Sequence, residues 1–160
     1  MLDRNLIFWP LYLLVFFLPT LIFIPRKEYK MYLLYGLIFG GMIDALTILV
    51  IGNLWGQFRY IAGPLTALGI PIIAPLVFVF VWMLFLYFLP RRKSFLIFYI
   101  LGWTGFSTLI GPVLQNLGFF RINGGLTKAI TIHVVTFLAW FTFSAWYFLR
   151  DQRLHKNTIR

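Results

Sequence analysis

Residues 31–51, MYLLYGLIFGGMIDALTILVI, are apolar over the length of a membrane span and contain one acidic residue, Asp44. Four residues of this stretch share one face of a helix, because they lie at i, i+4, i+8 and i+11: Gly36, Gly40, Asp44 and Thr47. Two glycines on one face let a neighbouring helix approach closely, so we expect Gly36, Gly40 and Thr47 to pack against another helix, in this chain or in a second copy. An ionisable residue inside a span is costly to bury unpaired, which makes Asp44 the first candidate for a functional site.

The composition places the chain among integral membrane proteins. Of its 160 residues, 61% are hydrophobic, 21% are aromatic and only 11% are charged, and the mean hydropathy is +0.89. A soluble domain of this length could not bury so much apolar surface. The net charge of +10 comes mostly from short basic runs between apolar segments, which indicates orientation in a membrane rather than binding of nucleic acid. The chain has no cysteine, which excludes disulfides, thiolate metal sites and cysteine nucleophiles.

Five apolar segments divide the chain. The predicted spans are about 5–24, 31–51, 71–89, 94–114 and 126–149, and residues 150–160 form a polar, basic tail. The third apolar run, 61–89, is too long for one span and too short for two, and prolines and glycines crowd its first half. We therefore predict a broken stretch at 61–70 that leads into the third span. The whole chain is then a single integral membrane domain.

The distribution of basic residues predicts the orientation. Ten of the 14 lysines and arginines lie after the first span, after the third span and in the tail. Four lie on the opposite side: Arg4, Arg59, Arg121 and Lys128. The positive-inside rule places the larger group in the cytoplasm. The expected fold is an all-α, polytopic transmembrane bundle of five spans in the cytoplasmic (inner) membrane, with the N-terminus outside and the C-terminus cytoplasmic.

The orientation also predicts depth. Asp44, Ser107 and His133 each lie seven residues from the outer end of a predicted span, roughly 10 Å below the outer boundary at the helical rise per residue. They could therefore meet in one outward-facing polar cluster. Thr104 and Thr108 lie on the same helix face as Ser107 and add hydroxyl groups suited to close packing and interhelical hydrogen bonds.

Two interpretations of Asp44 stay open. In the structural one, its carboxylate pairs with His133 or with a cation near the outer interface and fastens helices together. The cations in question are Arg59, Arg121 and Lys128. In the functional one, the same cluster binds a small molecule, a proton or an ion.

Catalysis and cofactors find little support in the sequence. The segment Gly105-Phe106-Ser107-Thr108, with His133 on the next helix, resembles the Gly-x-Ser-Gly motif and partner histidine of rhomboid-type intramembrane proteases, but Thr108 stands where the final glycine should be. No oxyanion donor set is evident either, so no catalytic residue is assigned. The second histidine, His155, lies on the other side of the membrane, so one chain cannot form a two-histidine haem site, and zinc lacks ligands. No cofactor or metal is predicted, while a bound lipid is compatible with this class of protein.

The string Gly40-Gly41-Met42-Ile43-Asp44, followed by Leu54-Trp55, resembles an uncharacterised family of small membrane proteins from spore-forming Firmicutes. The five short spans and the basic inner loops are similar too, so the resemblance covers most of the chain. It implies a bacterial inner membrane and no particular activity.

The sequence favours binding or assembly over catalysis. The first expectation is an accessory or scaffold subunit of a larger membrane complex or a homo-oligomer, with the lipid bilayer as its other partner and no nucleic acid. The alternative is a small-molecule or ion-binding transport component that uses the polar cluster around Asp44. An intramembrane enzyme is the third alternative.

Overall fold

The protein is a bundle of five helices. The computed structural model describes residues 4–61, 63–67, 70–123 and 125–158. The helices are α1 (Arg4–Phe23), α2 (Arg26–Leu54), α3 (Ile73–Tyr87), α4 (Lys93–Asn116) and α5 (Leu126–Thr158). Four of them, α1, α2, α4 and the segment Thr127–Arg153 of α5, are long and apolar enough to cross a membrane. The chain is therefore a mostly helical, multi-pass membrane protein with four candidate spans.

The helix bounds differ from the predicted ones, and most at α2, α3 and α5. Helix α2 begins at Arg26, five residues before the predicted start at residue 31. Helix α3 has 15 residues and begins at Ile73, two residues later than predicted. Pro75 lies in its first turn, where a backbone donor is not needed, so the proline is compatible with the helix start. Helix α5 does not end at residue 149 but continues through the predicted tail to Thr158, and residues 159–160 lie outside the described part.

Helix α2 is not a regular α-helix throughout. It is α-helical at Arg26–Tyr35 and Ile43–Thr47, and π-helical at Gly36–Met42 and Ile48–Leu54. π-Helical turns are rare and occur frequently at functional sites. In the first π segment, the carbonyl of Phe39 accepts a hydrogen bond of 2.5 Å from the Trp140 indole. The two π segments lie on either side of the short α-helical segment that contains Asp44.

The connectors add short strands that the sequence analysis did not predict. Strand β1 (Phe58–Tyr60) pairs antiparallel with β4 (Phe120–Ile122), and this pair is called the strand cap below. Of the predicted broken stretch 61–70, residues 62, 68 and 69 lie outside the described part. The rest includes a 3₁₀ turn at Gly63–Leu65 and strand β2 (Thr66–Ala67), which pairs with β3 (Ile70–Pro71).

The short helix α3 is the core of the bundle. Residues 77–86 are buried with the exception of Phe80, which is partly buried, so the helix is apolar and covered on all sides. Its Trp82 ring stacks on Phe141 with centroids 4.4 Å apart, and its indole N–H donates to Ser144 Oγ at 3.1 Å. These contacts tie α3 to α5 through both apolar area and a buried hydrogen bond.

The helices alternate in direction. Ring contacts pair Phe17 with Phe80 and Phe23 with Phe88, so α1 runs parallel to α3. Helix α2 runs the other way, because Gly36 lies beside Met83 whereas Gly40 lies beside Phe78. The same comparison makes α4 antiparallel and α5 parallel to α3. The bundle thus has a strand end, where the strand cap lies, and a basic end, where Arg26 and Arg91 lie.

The glycine face of α2 packs against α3 of the same chain. A Cβ at Gly40 would lie 2.3 Å from the Phe78 carbonyl oxygen, and a Cβ at Gly36 would lie 2.6 Å from the Val79 carbonyl oxygen. Both distances are too short for any side chain. That Thr47 also faces another helix stays a prediction; its hydroxyl donates to the Ile43 carbonyl of its own helix at 2.8 Å.

We expect Gly40→Ala to destabilise the bundle strongly, because the new methyl group would force α2 away from the α3 backbone, at about 1–3 kcal/mol. Gly102→Ala on α4 is the matched control, since a Cβ there meets nothing within 4 Å. The control should be neutral or gain up to about 1 kcal/mol from helix propensity. Thermal unfolding in detergent measures both, and equal midpoints for the two variants would contradict the packing described here.

Candidate binding cavity at the strand end

A cavity lies under the strand cap, between all five helices. It offers about 40 Å³ to the centres of water molecules, which is room for roughly three waters or a molecule of a few heavy atoms. Its aromatic walls are Trp9, Tyr12, Phe58, Tyr60, Phe78, Phe120, Phe137 and Trp140. Its polar lining beyond the tyrosines and tryptophans is Asp44, Thr47, Ser107, His133 and Thr136.

Three predicted site residues from three helices meet in this cavity. Asp44 comes from α2, Ser107 from α4 and His133 from α5, and all three line it. Thr104 and Thr108 lie on the buried face of α4, as Ser107 does, but they do not line the cavity. Their hydroxyls have no hydrogen-bond partner within the described part of the chain.

The predicted cationic partners of Asp44 lie elsewhere. Arg59 and Arg121 are opposite each other in the strand cap and are exposed, because side chains alternate along a strand. Their neighbours Phe58, Tyr60 and Phe120 line the cavity instead. Lys128 is exposed near the start of α5 and does not line it either. The expectation of an ion pair with one of these cations is therefore corrected: the strand pairing turns both arginines away from the cavity.

Asp44 is buried, and none of the described residues is its counter-ion. Its residue is 4% exposed, and its Oδ2 atom has no hydrogen-bond partner among the described residues. No lysine or arginine is among the described residues that line the cavity. An unpaired carboxylate is expensive to bury, so a proton or a cation from outside the chain must complete the site.

The Tyr60 hydroxyl is held in its protonated form. Burial, and secondly the negative charge of Asp44, raise the pKa of Tyr60 well above its ordinary value. This phenol group therefore stays neutral and supplies no charge that could pair with the carboxylate.

Further polar atoms of the cavity lack partners. Trp9 is fully buried, and its indole N–H, which can only donate, has no acceptor among the described residues. The Ser107 hydroxyl is also without a partner there. His133 Nδ1 lies 2.7 Å from the Ala129 carbonyl oxygen, which can only accept, so Nδ1 carries a proton. In the neutral ring, Nε2 is then an acceptor. Hydrogen-bond donors and acceptors thus both remain available to a ligand or to water.

The arrangement does not resemble an assembled serine active site. Because the Ser107 hydroxyl has no hydrogen-bond partner, it is not paired with His133 as a nucleophile needs to be paired with its base. No group of three or more metal-ligating histidine, cysteine, aspartate or glutamate side chains exists among the residues that the structure describes. Trp9, Tyr12 and Tyr60 are among the cavity residues that sequence reasoning missed. The i, i+3 spacing of Trp9 and Tyr12 on one face of α1 was the available signal.

Comparisons of the chain with protein families, with curated proteins and with solved structures found no match. The chemistry of the cavity therefore has to be inferred from its own residues.

We expect Asp44→Asn to leave the stability of the ligand-free protein unchanged or to raise it by up to about 2 kcal/mol, because the amide removes a buried charge and no partner is lost. Asp151→Asn is the matched control, since Asp151 accepts a hydrogen bond from the Tyr35 hydroxyl and should lose about 1 kcal/mol. Thermal midpoints in detergent compare the two. A clear loss of stability in Asp44→Asn would mean that the carboxylate has a stabilising partner after all.

Proposed function

We propose that this protein binds a small organic cation, such as a protonated amine, in the cavity under the strand cap, with Asp44 as the counter-ion. Such a site suits a transport or sensing component of a membrane. The observation that carries the proposal is the Asp44 Oδ2 atom, which is buried, has no hydrogen-bond partner among the described residues and lies at a cavity whose described lining includes no lysine or arginine. An intramembrane carboxylate of this kind marks a pathway or a ligand site more often than a packing contact once its protein partners are excluded.

The walls favour an organic cation over a metal ion. Hard metal ions need several oxygen ligands at once, and Ca²⁺ takes about six to eight. Asp44 is the only carboxylate among the described lining residues, whereas eight aromatic side chains surround the same space. The faces of aromatic rings attract ammonium groups, and aromatic cages are the known solution for binding them. A few convergent polar groups in an otherwise apolar pocket are the usual form of a small-molecule site.

We further propose five spans in the cytoplasmic membrane, with the N-terminus outside and the C-terminus in the cytoplasm. Two observations support this topology: the helices alternate in direction, and most basic residues lie at one end. Helix α3 covers only about 22 Å of a hydrocarbon core of roughly 30 Å, so its connectors would complete the third span. The cavity then lies in the outer half of the bundle, beneath the strand cap.

The glycine face of α2 no longer supports assembly with a second copy, because α3 of the same chain occupies it. The remaining exposed apolar side chains, such as Leu11, Phe98 and Val135, are those expected of a surface that faces lipid. We therefore place solute binding ahead of a scaffold role.

Methylammonium and tetramethylammonium should bind the purified protein with a change in tryptophan fluorescence, because Trp9 and Trp140 line the cavity. Asp44→Asn should weaken binding at least tenfold, which corresponds to about 1.4 kcal/mol. Asp151→Asn removes an acid at the basic end and should bind normally. Calorimetry with sodium and potassium chloride tests the ligand class: Asp44-dependent binding of the metal ions alone would contradict the organic cation, and absence of any Asp44-dependent binding would contradict the function.

The topology can be tested by cysteine labelling, since the chain contains no cysteine of its own. A single cysteine at Asn53 or Asn123 should react with a membrane-impermeant maleimide added to intact cells. A cysteine at Lys93 should react only after the membrane is opened. Labelling of Lys93→Cys from outside would overturn the five-span arrangement.

A further inference from the structure

A second pocket lies at the basic end of the bundle, away from Asp44. It is formed by α2, α5 and the end of α3, and offers about 220 Å³ to the centres of water molecules. Its floor is apolar and includes Tyr32, Leu86 and Phe148. Its polar rim includes Arg91, Gln152 and Arg153. The pocket therefore combines an apolar interior with two permanently charged groups at its edge.

The two arginines make the rim suited to phosphate. A guanidinium group is always charged and presents its N–H groups in a fork that matches phosphate oxygens. None of the lining residues is acidic. The nearby carboxylate of Asp151 accepts a hydrogen bond from Tyr35, and Asp151 does not line the pocket. Glu28 is close enough for its charge to act on Tyr32 in the floor, as the charge of Arg91 does, but Glu28 does not line the pocket, so the two arginines give the rim itself a positive charge.

The floor distinguishes a lipid from a free anion. Inorganic phosphate gains nothing from burying Tyr32, Leu86 and Phe148, whereas the glycerol and first acyl carbons of a phospholipid would cover them. The rim also lies where α3 ends and the basic connector begins, the level at which lipid headgroups meet a membrane protein. Basic pockets between helices at the cytoplasmic side are typical sites for anionic headgroups. We propose that this pocket binds the phosphate group of an anionic phospholipid.

The proposal is independent of the cation site, because it concerns the opposite end of the bundle. The test uses the full chain, purified in detergent and stripped of lipid, to which phosphatidylglycerol or phosphatidylcholine is added. Phosphatidylglycerol should raise the thermal midpoint by roughly 5 °C at a concentration well above its dissociation constant. Phosphatidylcholine, whose headgroup has no net charge, should have a much smaller effect.

The decisive comparison is between two double variants with equal loss of charge. Arg91→Gln with Arg153→Gln changes the pocket rim and should weaken binding of phosphatidylglycerol at least tenfold. Lys27→Ala with Arg92→Ala removes two exposed charges that do not line the pocket and should bind normally. If the rim variant is too unstable to purify, Arg91→Gln and Arg153→Gln are made singly, and each should bind more weakly than either single control.

Three results would overturn the proposal. Equal loss in both double variants would mean that general charge, not the pocket, attracts the lipid. An equal response to inorganic phosphate would mean that the rim recognises a free anion. Equal effects of the two phospholipids would mean that the headgroup charge is not recognised.

Discussion

The structure depends on the contact between the Gly40 backbone and the carbonyl group of Phe78. This contact lets α2 lie closer to α3 than any side chain would allow, and α3 can be covered on all sides only because its neighbours come so near. One helical turn beyond Gly40, the same face of α2 carries Asp44 to the edge of the cavity. Gly40 therefore both stabilises the bundle and positions Asp44, whose side chain is the most costly to bury. A bundle with weaker central packing could not tolerate a buried carboxylate without a partner.

The strand cap explains why that carboxylate stays unpaired. Pairing of β1 with β4 turns Arg59 and Arg121 outward and directs Phe58, Tyr60 and Phe120 inward. Two guanidinium groups that are close to Asp44 in the sequence-based picture are thereby kept out of the cavity. The aromatic rings that replace them form a low-dielectric wall, in which an unpaired charge interacts more strongly with a ligand than it would in water. The cap thus excludes the ion pair that would have made Asp44 a purely structural residue.

Helical parts of the site could be predicted from the sequence, and the strand-dependent parts could not. Asp44, Ser107 and His133 meet because the rise per residue of a helix is nearly constant, so equal distances from the span ends give equal depth. The orientation of Arg59 depends on pairing with residues some sixty positions later, and no local pattern encodes that pairing. The central position of α3 could not be predicted either, because a helix that is apolar all round suits either lipid or a protein interior. Nor do residues 36–42 carry a propensity that would indicate a π-helix.

Helix α3 brings its N-terminal turn to the cavity as well as side chains. Ala74, in its first turn, lines the cavity together with Asp44, and no side chain caps this helix terminus. The first backbone N–H groups of a helix have no partner within it, and the terminus carries a partial positive charge of about half an elementary charge. A partial charge of this kind does not neutralise a carboxylate, whereas a full counter-charge from an arginine would close the site to a cation. The late start of α3 at Ile73 thus gives the cavity a helix terminus in addition to the helix face that carries Phe78.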